Sequence, residues 1–302
     1  MRESEKNTET VHRRKAAIVA CSNALPENRR EQIEKLAEFL RDCGVETEIS
    51  SLLFSRDGTA FSGSPKERAQ ELMRAYRNPE TEMIFDVSGG DVANGILPYL
   101  DFSVIEKSRA VFWGYSDLTT IINGIYRKTG RSSVLYQVRN LLAEDGNWQR
   151  QAFRNYLSGA SGELFEFSWK FLRGHFMEGT VAGGNIRCLL KLAGTKFWPD
   201  MRGKIMLLEA AGGLASQMAA YLAQLKLMGV FEEVSGILLG TFLSMEESGG
   251  SPSIEELVLE YAGDKLPVAK TEEIGHRTDS HGVWVGKEIR MGKSETSRGG
   301  KC

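Results

Sequence analysis

The feature that most constrains this chain is a set of short apolar runs that show no polar alternation. Ala16-Ala17-Ile18-Val19-Ala20-Cys21 is the first, Met83-Ile84-Phe85-Asp86-Val87 a later one, and Gly236-Ile237-Leu238-Leu239-Gly240 another. Such runs mark strands buried on both faces, which is the habit of parallel sheets covered by helices. Between the first run and Val45-Glu46-Thr47-Glu48-Ile49 lies residues 31–43, with Ile33, Leu36, Ala37, Phe39 and Leu40 at helical spacing and Gly44 as a stop. Strand, helix, strand in that order makes a right-handed β-α-β unit with parallel strands. The expected class is α/β.

The remaining chain repeats this grammar. Ser64-Pro65 with Glu67 opens a helix that carries Ala69, Leu72, Met73 and Tyr76 on one face. The strand at 83–87 runs into Ser88-Gly89-Gly90-Asp91. Adjacent glycines at the carboxyl end of a parallel strand let a ligand approach the backbone, although the pair also reads as a tight turn. Residues 94–100 read as a short helix. Residues 145–179 hold Trp148, Phe153, Tyr156, Phe165, Phe167, Trp169, Phe171 and Phe176, a content that suits packing against a core. Gly203 to Glu209 is an apolar strand ending in an acid, and a helix over 215–228 follows. Ser251-Pro252 with Glu255 and Glu256 opens a helix over 253–261, and 267–270 is a strand. Val283-Trp284-Val285 and Glu288-Ile289-Arg290-Met291, separated by Gly286-Lys287, predict a hairpin.

Composition excludes several functions. The chain has 302 residues, 41% apolar and 26% charged, within the range of globular proteins. Its net charge of −2 offers no electrostatic case for nucleic acid. Cys21, Cys43, Cys188 and Cys302 are scattered, which fits neither a disulfide framework nor a zinc site. The four histidines, His12, His175, His276 and His281, show no H-x-x-x-H spacing, so no metal is expected. A glycine fingerprint after the first strand is also missing, so no dinucleotide or other cofactor is expected. No apolar run approaches about 18 residues, so no membrane span is expected. Residues 1–14 form a polar stretch, expected to be a disordered tail without the apolar core of a signal peptide, and residence in the cytoplasm is the expectation.

The chemistry-bearing stretch is Phe112-Trp113-Gly114-Tyr115-Ser116-Asp117. An apolar strand precedes Ser116, and 118–126 reads as a helix. A serine at the tip of such a turn exposes its hydroxyl above a helix N-terminus, where amide N–H groups suit an oxyanion. Leu118 stands where the usual G-x-S-x-G elbow has its second glycine, and Ser116-Asp117 also reads as a helix cap. A serine hydroxyl needs a base, and the base needs an acid that orients it. Glu209 and His276 end strands too. A carboxylate closing an apolar strand is costly unless paired. His276 follows Gly275 in a turn, while the rival base His281 sits in the polar stretch after Thr278-Asp279-Ser280.

These pieces together resemble the LD-carboxypeptidase family of serine peptidases, which includes muramoyltetrapeptide carboxypeptidases and microcin C immunity proteins. The matching stretches are Ala17-Ile18-Val19-Ala20; Ser88-Gly89-Gly90, Asn94 and Leu97-Pro98-Tyr99-Leu100-Asp101; Gly114-Tyr115-Ser116-Asp117; Gly183-Gly184-Asn185 with Leu189; Gly194-Thr195 and Pro199-Asp200; Leu208-Glu209; and Gly275-His276. The resemblance implies a nucleophile at Ser116, an orienting acid at Glu209, a base at His276, and an oxyanion hole from the N–H groups of Gly90 and Asp117. It also implies an N-terminal flavodoxin-like domain, a smaller C-terminal α/β domain, a site at their interface, and a homodimer. The domains would be 15–145 and 180–293, joined by 146–179, with a tail over 294–302. Three departures stand out. Val134-Leu135-Tyr136-Gln137-Val138 replaces a His-Gly-Pro-type segment, the first strand ends in Cys21-Ser22 instead of Pro-Ser, and Ser88 stands where many members have arginine.

The expected activity is therefore hydrolysis of an amide beside a terminal carboxylate, such as the L,D bond before D-alanine in a murein tetrapeptide. A peptidyl or aminoacyl nucleotide is the alternative substrate. A non-catalytic binding module on the same fold is the alternative of another class.

Overall fold

The computed structural model describes residues 14–56 and 58–292. The two expected tails lie, apart from Arg14, outside the described residues. Arg14 itself opens the first strand rather than ending a tail.

Twelve strands form two sheets of six among the described residues. The first sheet contains β1 (Arg14–Val19), β2 (Val45–Ile49), β3 (Thr81–Asp86), β4 (Val111–Gly114) and β5 (Ser133–Leu135). Their order is β2-β1-β3-β4-β5, all parallel. This is the flavodoxin-like order, whose chain reversal leaves a crevice at the carboxyl ends of β1 and β3. The second sheet contains β6 (Lys170–Arg173), β7 (Phe176–Asn185), β8 (Ile205–Ala210), β9 (Gly236–Phe242) and β10 (Val268–Lys270). Here β7, β8, β9 and β10 are parallel neighbours, and β6 runs antiparallel on the far edge.

The last two strands correct an expectation. β11 (Val283–Val285) and β12 (Glu288–Gly292) do not form a hairpin. β11 pairs antiparallel with β5 in the first sheet, and β12 pairs antiparallel with β7 in the second. Between them the chain bonds to β7 instead of to itself: Gly286 donates to the Val181 carbonyl at 2.8 Å, and Val181 donates to the Lys287 carbonyl at 2.9 Å. Both sheets offered an open edge of ladder partners, and the strands filled those edges instead of facing each other.

The expected joining segment 146–179 also supplies structure to the second sheet, all of β6 and the start of β7, while the helix-capping signals were honoured. Ser64 and Glu67 form a reciprocal capping box at Pro65–Arg77, and Ser253 and Glu256 form another at Ile254–Tyr261. The helix Arg30–Asp42 buries Ile33, Leu36, Ala37 and Leu40. The aromatic stretch is core only in part: Phe153 and Phe167 are buried, whereas Trp148 and Phe176 are exposed. Phe153 on the helix Asn147–Ser158 reaches Trp113 of β4 at 6.1 Å between ring centroids, and Phe165 reaches it at 5.8 Å.

The two sheets are joined through the helix Thr119–Thr129, which follows Ser116. Buried Asn123 on that helix donates to the Gly183 carbonyl and accepts from the Gly183 N–H, each at 2.9 Å. Its amide thus behaves like one more strand partner for β7. The Asn185 N–H donates to Thr119 Oγ1 at 3.1 Å. Glycine is required at 183, where φ is +115° and a Cβ would lie 2.2 Å from the Leu207 carbonyl oxygen. So β7, a central strand of the second sheet, is keyed to the helix that Ser116 starts.

Candidate active site

Ser116 has φ +56°, the left-handed region, and is the only non-glycine residue there among the described residues. That conformation costs an L-residue about 1–2 kcal/mol. Such outliers persist only where surrounding structure holds them. Here the holding is visible. Leu118 N–H donates to the Tyr115 carbonyl at 3.0 Å, and Tyr136 N–H donates to the Gly114 carbonyl at 2.9 Å. Leu118 is fully buried. The glycine that permits the sharp return is Gly114, two residues before the serine, where a Cβ would lie 2.7 Å from Leu118 Cβ. Leu118, at the place of the second glycine of a G-x-S-x-G elbow, serves as a core residue.

Asp117 turns its side chain the other way, into the protein. Its fully buried carboxylate accepts from Ser22 Oγ at 2.5 Å and from the Ala93 N–H at 2.8 Å. It also pairs with Lys191 Nζ at 2.5 Å. One carboxylate thereby ties together the loop after β1, the loop after β3 and a lysine of the second half. Removing it leaves a mostly buried ammonium with only the Asp91 carbonyl to donate to among the described residues, at 2.9 Å, and leaves the Ala93 N–H without its acceptor. Asp117→Ala should therefore destabilise the fold by about 3 kcal/mol, the lower end for a broken buried pair because Lys191 keeps some solvent. Urea denaturation reads this directly, and an unchanged midpoint would count against the hub.

The loop carrying Gly90 is built close to this hub. Gly90 has φ +125°, and a Cβ there would lie within 2.6 Å of three atoms of the Asn23 side chain. Its carbonyl accepts from Arg187 at 3.0 Å. Behind the loop, buried Asp86 accepts from Cys21 N–H at 2.8 Å, Ser88 N–H at 2.9 Å and Ser88 Oγ at 2.5 Å. Burial pushes the Asp86 carboxyl above its ordinary range, and these hydrogen bonds hold it back.

Glu209 is the penultimate residue of β8, which runs one residue further than expected, to Ala210, and it is wholly buried. Its Oε2 lies 2.6 Å from Nδ1 of His276, which offsets part of the expected cost of a carboxylate on an apolar strand, while Oε1 is buried without a hydrogen-bond partner among the described residues. His276 Nε2 is buried with no protein partner among the described residues. Tyr115 packs edge-on against the imidazole at 4.7 Å. Burial and the nearby Glu209 charge push the Tyr115 phenol well above its ordinary value, so it stays protonated. The loop bearing His276 is fastened to β9, with Thr241 N–H donating to the Ile274 carbonyl at 2.7 Å. Gly240 makes this approach possible, since a Cβ there would lie 2.4 Å from that same carbonyl oxygen.

Ser116 and His276 line one cavity of about 350 Å³, together with Ser88, Gly89, Tyr115 and Gln137. The rival base His281 is elsewhere, stacked on Trp148 at 4.3 Å between ring centroids, and its burial lowers its pKa. Serine and carboxylate-held imidazole in one cavity can perform nucleophilic acyl transfer. Among the described residues no group of three or more His, Cys, Asp and Glu side chains could hold a metal ion. Among them, too, no helix is long and apolar enough to cross a membrane.

Residues 16–136 match the LD-carboxypeptidase N-terminal domain, and residues 178–291 match the LD-carboxypeptidase C-terminal domain. The chain belongs to the LD-carboxypeptidase family. Among relatives, a probable murein peptide carboxypeptidase of Bacillus subtilis (strain 168) is 28% identical over 271 residues, 85% of this chain and 83% of that protein. The microcin C7 self-immunity protein MccF of Escherichia coli is 26% identical over 277 residues, 79% of each chain. The structure of MccF in complex with glutamyl sulfamoyl guanosine superposes with a TM-score of 0.81 at 22% identity, covering 94% of this chain and 97% of that one. Muramoyltetrapeptide carboxypeptidase from Oxalobacter formigenes gives 0.78 at 22% identity, covering 92% and 95%. At this identity the superpositions establish a shared two-sheet α/β fold.

Some contacts around this cavity escaped sequence reasoning. Lys191 and Asp117 are 74 residues apart, and no local pattern pairs them. The stretch standing in for the family's His-Gly-Pro-type segment divides its work. Val134 and Leu135 lie in β5 and Tyr136 donates to Gln149, while Gln137 turns toward the cavity and brings Arg139 and Asn140 with it.

Proposed function

We propose that this protein is a serine-type LD-carboxypeptidase that cleaves the L,D amide before the terminal D-alanine of a murein tetrapeptide. The observation that carries the reading is the left-handed backbone of Ser116, in a cavity shared with an imidazole held by buried Glu209. Ser116 Oγ attacks the scissile carbonyl while His276 Nε2 takes its proton. Glu209 accepts from Nδ1–H, fixing the tautomer and stabilising the imidazolium. The N–H groups of Gly90 and Asp117 receive the oxyanion. His276 returns the proton to the departing amine of D-alanine, and water then releases the acyl group by the reverse proton path. The decisive assay is mass-spectrometric release of D-alanine from L-Ala-γ-D-Glu-meso-diaminopimelate-D-Ala. No release by active-site-intact protein would remove this substrate. The same reading puts the protein in the cytoplasm as a homodimer, which sedimentation at a single chain mass would refute.

A second substrate, a peptidyl or aminoacyl nucleotide, is favoured by one observation. The solved MccF structures to which this fold is similar hold glutamyl sulfamoyl guanosine and aspartyl sulfamoyl adenosine. Stabilisation by a bound aminoacyl sulfamoyl adenosine would appear as a concentration-dependent rise in Tm, and a flat Tm would dismiss it.

The reading makes a demand on Gly240. A methyl group in Gly240→Ala must push the Ile274 carbonyl outward, and His276 moves with it. A misplacement near 1 Å costs about 10²-fold in rate. Gly240→Ala should lose about that much in kcat, with KM less affected. Wild-type kcat in this variant would mean the loop is not positioned through Gly240.

A further inference from the structure

We propose that Arg139 holds the free carboxylate of the substrate and thereby makes the site select a chain end over an internal amide. This assignment rests on the carboxypeptidase reading above.

Two arginines line the cavity, Arg139 and Arg277. Their circumstances differ. Arg277 is half exposed and pairs with Glu246 at 3.2 Å. Arg139 takes part in no ion pair among the described residues. Its Nε donates to Gln137 Oε1 at 3.2 Å, and the same oxygen accepts from the Arg139 N–H at 3.4 Å. Gln137 in turn caps the helical turn Val138–Leu142. The guanidinium stem is therefore fixed from behind, and its two terminal nitrogens make no hydrogen bond to the described residues.

The carboxylates that might neutralise Arg139 are committed elsewhere. Glu209 holds His276, and Glu246 holds Lys270 and Arg277. Asp86 sits behind Ser88 and spends its oxygens on Cys21 and Ser88. Burial pulls the Arg139 pKa below its ordinary value, nearby Arg29 adds to this, and only the Asp86 charge opposes it. The cavity therefore carries a desolvated, under-neutralised cation with a planar pair of donors. That is the arrangement a carboxylate relieves, through two parallel charge-assisted hydrogen bonds. An internal peptide running past Arg139 would bring a neutral amide there and leave the cation unpaired. Selection thus comes as much from the penalty on the wrong ligand as from the reward on the right one.

The test is calorimetric binding to the full-length Ser116→Ala protein, using the murein tetrapeptide and its C-terminal carboxamide. The free acid should bind about 10²-fold more tightly than the amide, the range for a charged hydrogen-bonded pair. Adding Arg139→Gln should bring the two ligands within about threefold, mainly by weakening the acid. Adding Arg139→Lys should leave an intermediate preference, because a point charge lacks the fork. This variant carries the test if Arg139→Gln fails to fold. Arg277→Gln should keep the full preference. Retention of the full preference in Arg139→Gln would overturn the assignment. So would equal binding of acid and amide to the Arg139 protein, which leaves the carboxypeptidase reading standing. Binding of neither peptide overturns that reading and this assignment together.

Discussion

Turnover by Ser116→Ala is expected to fall by about 10⁶, the loss typical of a missing nucleophile in a Ser-His-acid site. Two features make the expectation specific. The serine sits at φ +56°, where a non-glycine side chain is strained, so stability alone would not favour it. Its side chain also shares the cavity with an imidazole whose far nitrogen has no protein partner among the described residues. The companion substitution separates chemistry from folding. Ser116→Gly relieves about 1–2 kcal/mol of left-handed strain. It costs about 0.5–1 kcal/mol through the freedom of glycine in the unfolded chain. Ser116→Gly should therefore be inactive with a Tm no lower than wild type. A fluorophosphonate probe adds a third reading, since it should label wild type at Ser116 and neither variant. Residual turnover above about one part in 10³ in clean Ser116→Ala protein would show that another group does the chemistry.

The second large effect belongs to Glu209. Glu209→Gln preserves shape and hydrogen-bonding size but removes the charge that faces His276 Nδ1 at 2.6 Å. The new amide can donate to Nδ1, and that holds the wrong tautomer, with the proton on Nε2 where a base must accept one. Loss of the acid's charge in such a site lowers kcat by about 10⁴. The double variant with Ser116→Ala should be no worse than Ser116→Ala alone, because residues acting as a unit are not additive. A drop of less than about tenfold in Glu209→Gln would remove Glu209 from the mechanism and leave it as a buried structural acid. The protein should still fold. The substituted amide would lie at the same apolar strand end without an uncompensated charge, so the midpoint of denaturation should move far less than kcat.

Much of the architecture was legible because it depends on near-neighbour chemistry. The run Ala16 to Cys21 has no polar face to offer water, so it had to be a strand covered on both sides. Ser64 with Glu67, and Ser253 with Glu256, cap helices through contacts three residues long. The cost of an unpaired carboxylate pointed to Glu209 before its partner was known. By contrast, Val283 to Met291 misled. A two-residue gap between alternating runs is a hairpin signal only when the strands lack better partners, and here β5 and β7 each presented an open edge.

The sequence by itself left β5, β6 and β7 unread, the last two beginning inside what was taken as a joining segment. It marked most of the buried parallel strands, the capped helices, the strand-to-helix turn at Ser116, and a serine, an acid and a histidine of the types acyl transfer needs. These follow from backbone sterics, side-chain period and the hydration of polar groups, all of which act over a few residues. Only the tertiary structure decided that β11 and β12 part company, that Asp117 joins Ser22, Ala93 and Lys191, and that Arg139 stays without a counterion among the described residues while Arg277 has one. Those outcomes depend on which distant groups compete for the same partner once water has been removed, and the order of residues along the chain does not encode that competition locally.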